Sequence, residues 1–274
     1  MKDVLRRLVN GDVSLDEAER LLRLSVIEEV DGFARLDICR GLRKGIPEII
    51  LAEGKNESDL LQIILKIVEC NGRVIVSRVS PDQVKSIKQA LAEDIIITES
   101  ERATTIVIKK CLSSVEKTGG KIGILTAGTS DIPVAEESKL VAEEMGCDVT
   151  TAYDVGVAGI HRLFIPLKTM VENNVDVLIV VAGREGALPS LIAGLSDIPI
   201  IAVPTSIGYG FGGKGVAALT AMLQACPLGL AVVNIDAGVA AGAMAALMAN
   251  RVAQARIDTI HPEEYSPVTA DRLV

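Results

Sequence analysis

The sequence predicts an α/β fold: a central parallel sheet wound with helices on both faces, preceded by a small α+β module. Three observations lead there. From Lys121 onward, short apolar runs alternate with helical patterns, and each run ends in a turn rich in glycine and polar residues. Val175 to Val181 is almost unbroken in apolar residues, as a strand covered on both faces should be. Apolar residues make up 49% of the chain but aromatics only 2%, so the core must be built from Val, Ile, Leu and Ala.

Residues 1 to about 115 read as the module. Ser14-Leu15-Asp16-Glu17 is a capping box, and Leu15, Ala18, Leu21 and Leu22 recur at helical spacing. Phe33 to Ile38 and Glu48 to Leu51 read as short strands joined by a basic turn, Arg40 to Gly45. Ser58 to Glu69 is an amphipathic helix stopped by Asn71-Gly72, and Val74 to Ser77 is a strand. Ser80-Pro81 opens a helix through Leu91, with further strands at Ile95 to Thr98 and Thr105 to Ile108. Asp37, Arg40, Arg43, Lys44, Glu48 and Lys55 form a charged cluster. It reads either as a solvated turn with surface ion pairs or as cations for a ligand's phosphate or carboxylate, and spacing alone favours the former.

Residues about 116 to 274 read as the wound sheet. Strand Ile122 to Leu125 enters a polar turn, Thr126 to Asp131, and a helix starts at Pro133. Strand Val149 to Tyr153 leads through His161-Arg162 into a helix ending at Glu172. The third strand ends in Ala182-Gly183-Arg184-Glu185-Gly186-Ala187, before a helix to Leu195. Strand Pro199 to Val203 meets a glycine-rich loop through Gly213. Helix Val216 to Ala225 then leads to Cys226-Pro227 and a strand from Leu230 to Ile235, and Asp236 opens an alanine-rich last helix. In a parallel sheet the turns that follow the strands share one edge. Ser130, Asp131, His161, Arg162, Glu185, the Gly208 loop and Asp236 should therefore converge there.

Each group admits two readings. Gly128 opens a helix whose free amides can hold an anion, and Ser130 and Asp131 suit a ribose hydroxyl or a cation, unless Asp131 merely caps. His161 is a ligand contact or a hydrogen-bonded structural residue. Arg162 can grip phosphate or carboxylate in a fork. Glu185, flanked by glycine, is a general base or orienting group, or a solvated loop residue. Gly208 to Lys214 nearly spells a phosphate loop, but Gly215 stands where Ser or Thr should hold magnesium. A glycine-lined floor for a flat ligand is the better reading. Cys226 ends a helix, where the dipole does nothing for a thiolate, so it is filler unless something else activates it.

Composition excludes other classes. A net charge of −8 and almost no aromatics leave neither a basic face nor stacking platforms for nucleic acid. No apolar run reaches the roughly 18 residues of a membrane span, and the first residues lack a signal-peptide core, so a cytoplasmic location is expected. Five scattered cysteines without a Cys-x-x-Cys suggest neither disulfides nor zinc.

Gly128-Thr129-Ser130-Asp131-Ile132-Pro133, His161-Arg162, Ala182-Gly183-x-x-Gly186-Ala187-Leu188-Pro189 and the helix after Gly238 occur in order at successive strand ends. Over residues about 119 to 250 they resemble the phosphoribosylaminoimidazole carboxylase superfamily, including the N5-carboxyaminoimidazole ribonucleotide mutases. That resemblance implies a three-layer, flavodoxin-like sandwich. Over the whole chain, Gly183 to Ser190, Val203 to Gly210, Cys226 and Val232 to Asp236 make the sequence similar to the pyridinium-3,5-biscarboxylic acid mononucleotide synthases of nickel-pincer cofactor synthesis. There are departures. Purine mutases carry a second histidine where this chain has Ala187, and Ala237 to Ala241 replaces a stretch that is commonly Asn-Gly-Phe-Gly.

The resemblance implies that nicotinic acid adenine dinucleotide is carboxylated on its pyridinium ring by CO2 or bicarbonate and hydrolysed to release AMP. It implies Cys226 as nucleophile and Glu185 as acid–base or orienting group. Gly128, Ser130, Asp131, His161, Arg162, Gly183, Gly208 and Asp236 would bind substrate. Mg2+ would sit at the pyrophosphate on unspecified ligands, in a homo-octamer that binds neither nucleic acid nor membrane. Two other readings stay open: a purine-pathway mutase or carboxylase, and a non-catalytic nucleotide sensor that oligomerises through its alanine-rich helix.

Overall fold

A computed structural model describes residues 2–25, 28–30, 32–38, 40–100, 102 and 104–260. Cys39, His261 and the polar tail lie outside them. The chain divides into two compact units, residues 1–114 and 115–274.

The first unit contains α1 (Lys2–Val9), α2 (Leu15–Ser25), β1 (Glu28–Val30), β2 (Ala34–Leu36), α3 (Arg40–Lys44), β3 (Ile49–Leu51), α4 (Glu57–Asn71), β4 (Arg73–Ser77), α5 (Pro81–Ala90), β5 (Ile95–Glu99) and β6 (Ile106–Lys110). β1 and β2 pair antiparallel, and the other strands form a mixed sheet in the order β3-β4-β6-β5. Local chemistry sets the helix ends. Ser14 Oγ accepts the Glu17 amide at 3.1 Å, Asn56 caps α4, left-handed Gly72 stops it, and Ser80 and Gln83 cap each other at α5. Leu60, Ile64 and Ile67 of α4 pack with Val74, Val76 and Ile108 of the sheet. The predicted basic turn is instead the short helix α3. Asp37 drives this change, since its carbonyl accepts the Arg40 amide at 3.0 Å and its carboxylate takes both nitrogens of the Arg43 fork. Arg40 stands 3.7 Å from Glu48, whose carboxyl is pushed up chiefly by burial.

The second unit contains β7 (Lys121–Thr126), α6 (Ile132–Glu144), β8 (Asp148–Ala152), α7 (His161–Glu172), β9 (Val177–Ala182), α8 (Leu188–Ala193), β10 (Ile200–Pro204), α9 (Val216–Leu223), β11 (Leu230–Val232) and α10 (Gly238–Ile260). All five strands are parallel, in the order β11-β10-β9-β7-β8, the flavodoxin-like arrangement. Ile179 sits level with Ile124 on one side and Ile201 on the other. β9 and β10 are buried throughout, while the edge strand β8 is half-buried. Leu163, Leu167 and Met170 of α7, Leu188 and Ile192 of α8 and Met222 of α9 share a core with Leu178 and Val180.

Helices α6 and α10 pack with their backbones almost touching. A methyl added at Gly238 would meet the Val134 carbonyl at 2.4 Å, and one at Gly242 would meet the Ser138 carbonyl at 2.4 Å. Ser138 Oγ donates to the Gly238 carbonyl at 2.8 Å within this seam. Ala241, Ala245, Ala246 and Ala249 are fully buried. Those alanines are used inside the chain, while Ala240, Met244, Val252 and Ile257 of the same helix are exposed.

Gly242→Val should force the two helices apart. The expected cost is about 1–3 kcal/mol, read as a melting temperature lower by about 2–4 °C per kcal/mol for a unit of this size. Calorimetry of the full chain checks it, and Val252→Ala on the exposed side of α10 should leave the transition in place.

Candidate active site

Strand order reverses between β7 and β9, so a crevice opens outside their carboxyl ends. A pocket of about 530 Å3 occupies it, lined by the turns after β7, β8 and β9 and by Ile207 after β10. Its size suits a small-molecule site.

After β7, Gly128 leads into one turn of 3-10 helix, Thr129–Asp131, that runs on into α6. Asp131 is buried. One carboxylate oxygen accepts the Gly128 amide at 2.9 Å, the other accepts the Thr205 hydroxyl at 2.6 Å, and the Gly183 amide also donates to this carboxylate. Burial pushes the Asp131 carboxyl above its ordinary range. The three hydrogen bonds oppose that rise, and Asp236 nearby adds to it. Of its two readings, ligand or cap, Asp131 goes beyond both as a brace that ties three turns together. Ser130 lines the pocket and is exposed.

After β8, Asp154 adopts left-handed φ 57°, and its amide donates to Thr126 Oγ1 at 3.0 Å. Arg162, on the first turn of α7, pairs with the Asp154 carboxylate, and both line the pocket. Gly156 packs where any side chain would strike the Ala127 carbonyl, at 2.4 Å. His161 is exposed and is not among the lining residues.

After β9, Gly183 lies against the Ile207 carbonyl and the Thr205 hydroxyl, each 2.6 Å from where a Cβ would be. Arg184 and Gly186 are both left-handed, at φ 56° and 62°. Glu185 lines the pocket and is exposed. The Arg184 amide donates to the Ile207 carbonyl at 2.9 Å, and its guanidinium lies 4.6 Å from the Tyr209 ring centre. Gly208 abuts Arg184 without lining the pocket. Asp236 holds the Ser206 amide at 2.8 Å and braces the loop from outside.

Cys226 does not join these groups. Helix α9 runs back from the carboxyl edge of the sheet, and β11 starts beside the start of β10, where the Ile200 amide donates to the Gly229 carbonyl at 2.9 Å. Cys226, just before β11, is exposed at the amino edge, roughly 15 Å away along a strand of this length. The expectation that Cys226 sits at the glycine-lined edge of the sheet is thus overturned. The cause is topological, since the helix between two parallel strands must return the chain to the opposite edge.

Sequence reading assigns no role to Thr205, Asp154 or Arg184. Asp154 and Arg184 each stand two residues beyond a strand's end, where the chain bends sharply. Arg184, directly after Gly183 and two before Gly186, is the readable signal.

Residues 27–110 match the family model for a LarB/PurE-like N-terminal domain, and residues 121–263 match that for AIR carboxylase. The chain is 47% identical over 251 residues to an uncharacterized protein of Methanocaldococcus jannaschii, covering 91% of this chain and 96% of that one. It is 33% identical over 119 residues to the N5-carboxyaminoimidazole ribonucleotide mutase of the same organism, covering 43% of this chain and 71% of the mutase. With the mutase of Thermotoga maritima it shares 31% over 88 residues, 49% of that protein's length.

Asp131→Asn puts an amide N–H against a donor and should destabilise the unit by about 1–3 kcal/mol at neutral pH. Burial holds the folded-state pKa above the ordinary carboxyl value. The stability tied to the Asp131 proton is therefore fully present below pH 3.8 and lost as pH rises through the raised pKa. Urea titrations should show the gap between wild type and variant widening as pH falls through that window.

Proposed function

The chain belongs to the AIR carboxylase family, with the LarB-like pairing of domains, and we propose that it carboxylates the pyridinium ring of nicotinic acid adenine dinucleotide and releases AMP. A carboxylase- or mutase-type activity follows from the family. The finer assignment is supported by one observation above all: the turn after β9 presents Glu185, with Ala187 lining the pocket where purine mutases place a histidine.

The chemistry asks for a nucleophile. A pyridinium ring is electron-poor, and its carbon 5 cannot attack CO2. A thiolate adding at carbon 4 gives an enamine-like dihydropyridine whose carbon 5 can. Glu185 then takes the carbon 5 proton, and the ring expels the thiolate as aromaticity returns. Separately, water cleaves the phosphoanhydride and AMP departs. Ser130 and Arg162 hold the ribose phosphate, and Asp131 keeps the Ser130 turn in place. Cys226 lies exposed at the far edge of its own sheet, so the attacking sulfur comes from a neighbouring copy in a homo-oligomer, an octamer by resemblance.

Magnesium fits this donor set as an ion carried in by the substrate. Among the described residues no group of three or more potential ligands gathers, and magnesium commonly takes one or two carboxylates together with phosphate oxygens. Asp154, on the pocket wall, is the carboxylate that would hold it while still paired with Arg162. Bound there, it would neutralise charge on the departing phosphate.

Incubation with the dinucleotide, bicarbonate and Mg2+ should yield AMP and a mononucleotide heavier by one CO2. Cys226→Ala and Glu185→Gln should each lose that product. When the two variants are unfolded and reassembled together, about a quarter of the sites should regain a whole pocket and a neighbour's sulfur. Full activity in Cys226→Ala rejects the covalent step. No recovery on mixing rejects a sulfur supplied by another copy.

A further inference from the structure

Two cations line the pocket, and they are not equivalent. Arg162 is neutralised by Asp154. Arg184 has no carboxylate within ion-pair distance among the described residues, and its guanidinium rests on the face of Tyr209. A long side chain in the left-handed region is unfavourable, and such residues cluster where a site needs them. Tyr209 itself is 81% exposed, in a loop with left-handed Gly208 and Gly210 on either side. An exposed aromatic face that already holds a planar cation is suited to a cationic ring. The unpaired guanidinium is suited to a planar carboxylate.

We propose that Arg184 and Tyr209 select the acid form of the pyridine nucleotide: Arg184 pairs the ring carboxylate in a fork, and the Tyr209 face receives the pyridinium. This rests on the functional reading above and names its specificity determinant. The nicotinamide form offers an uncharged amide at that position and leaves the guanidinium without its counter-ion.

The test is binding of nicotinic acid mononucleotide and nicotinamide mononucleotide to the full chain by calorimetry, beside AMP release from the two dinucleotides. Arg184→Asn keeps a residue that tolerates the left-handed backbone and removes the charge. Wild type should bind the acid form more tightly. The variant should lose about tenfold or more for the acid form and change little for the amide, with Arg184→Lys recovering part of the difference. Tyr209→Ala should weaken both forms and Tyr209→Phe neither. Equal losses for both forms in Arg184→Asn would make it a phosphate clamp and overturn the proposal. Unchanged discrimination would overturn it too. If wild type discriminates in binding yet releases no AMP, the functional reading fails while this inference stands.

Discussion

One buried carboxylate organises the ligand-facing end of the second unit. Asp131 accepts from Gly128, Gly183 and Thr205, which belong to the turns after β7, β9 and β10. A parallel sheet fixes its strands through regular hydrogen bonds but leaves the connecting turns to their own devices. Here a single side chain ties three of them together. Its burial is costly for a charge, and three donors are what make that burial tolerable. The glycines at 183 and 156 serve the same end, since each lets one turn lie against a neighbour's carbonyl. The turns around the pocket are therefore packed closely on one another from behind.

Four non-glycine residues adopt left-handed backbone at this edge: Asp154, Arg184, Lys214 and Asp236. Two are aspartates, which tolerate that conformation, and both work inside the protein, one on Arg162 and one on the Ser206 amide. Arg184 and Lys214 have no such tolerance, and of these two only Arg184 lines the pocket. At Arg184 a left-handed backbone and a cation outside ion-pair distance of any described carboxylate coincide on the pocket wall, which marks it as a binding group.

The same topology that gathers the polar turns disperses the cysteine. Everything directly after a strand lands at the pocket, and everything directly before one lands at the far edge. Cys226 follows a helix and precedes a strand, so no adjustment of loops within one chain brings it to the pocket. The covalent step proposed above therefore requires a second copy whose amino edge faces this copy's carboxyl edge.

Much was readable from residue order alone. Alternating apolar runs and helices gave the parallel sheet. Ser14, Asn71-Gly72 and Ser80-Pro81 marked helix ends, because capping depends on residues only a few positions apart. The convergence of Ser130, Asp131, Arg162 and Glu185 at one edge followed from parallel strands without knowing their order. What needed three dimensions was everything decided between distant segments. The folding of residues 40 to 44 into a helix depended on Asp37 reaching Arg43. The role of Asp131 depended on Thr205, 74 positions away. Side-chain type and local spacing determine which elements form and which edge they meet. Only the packed chain decides which polar groups are used up holding it together and which are left to meet a ligand.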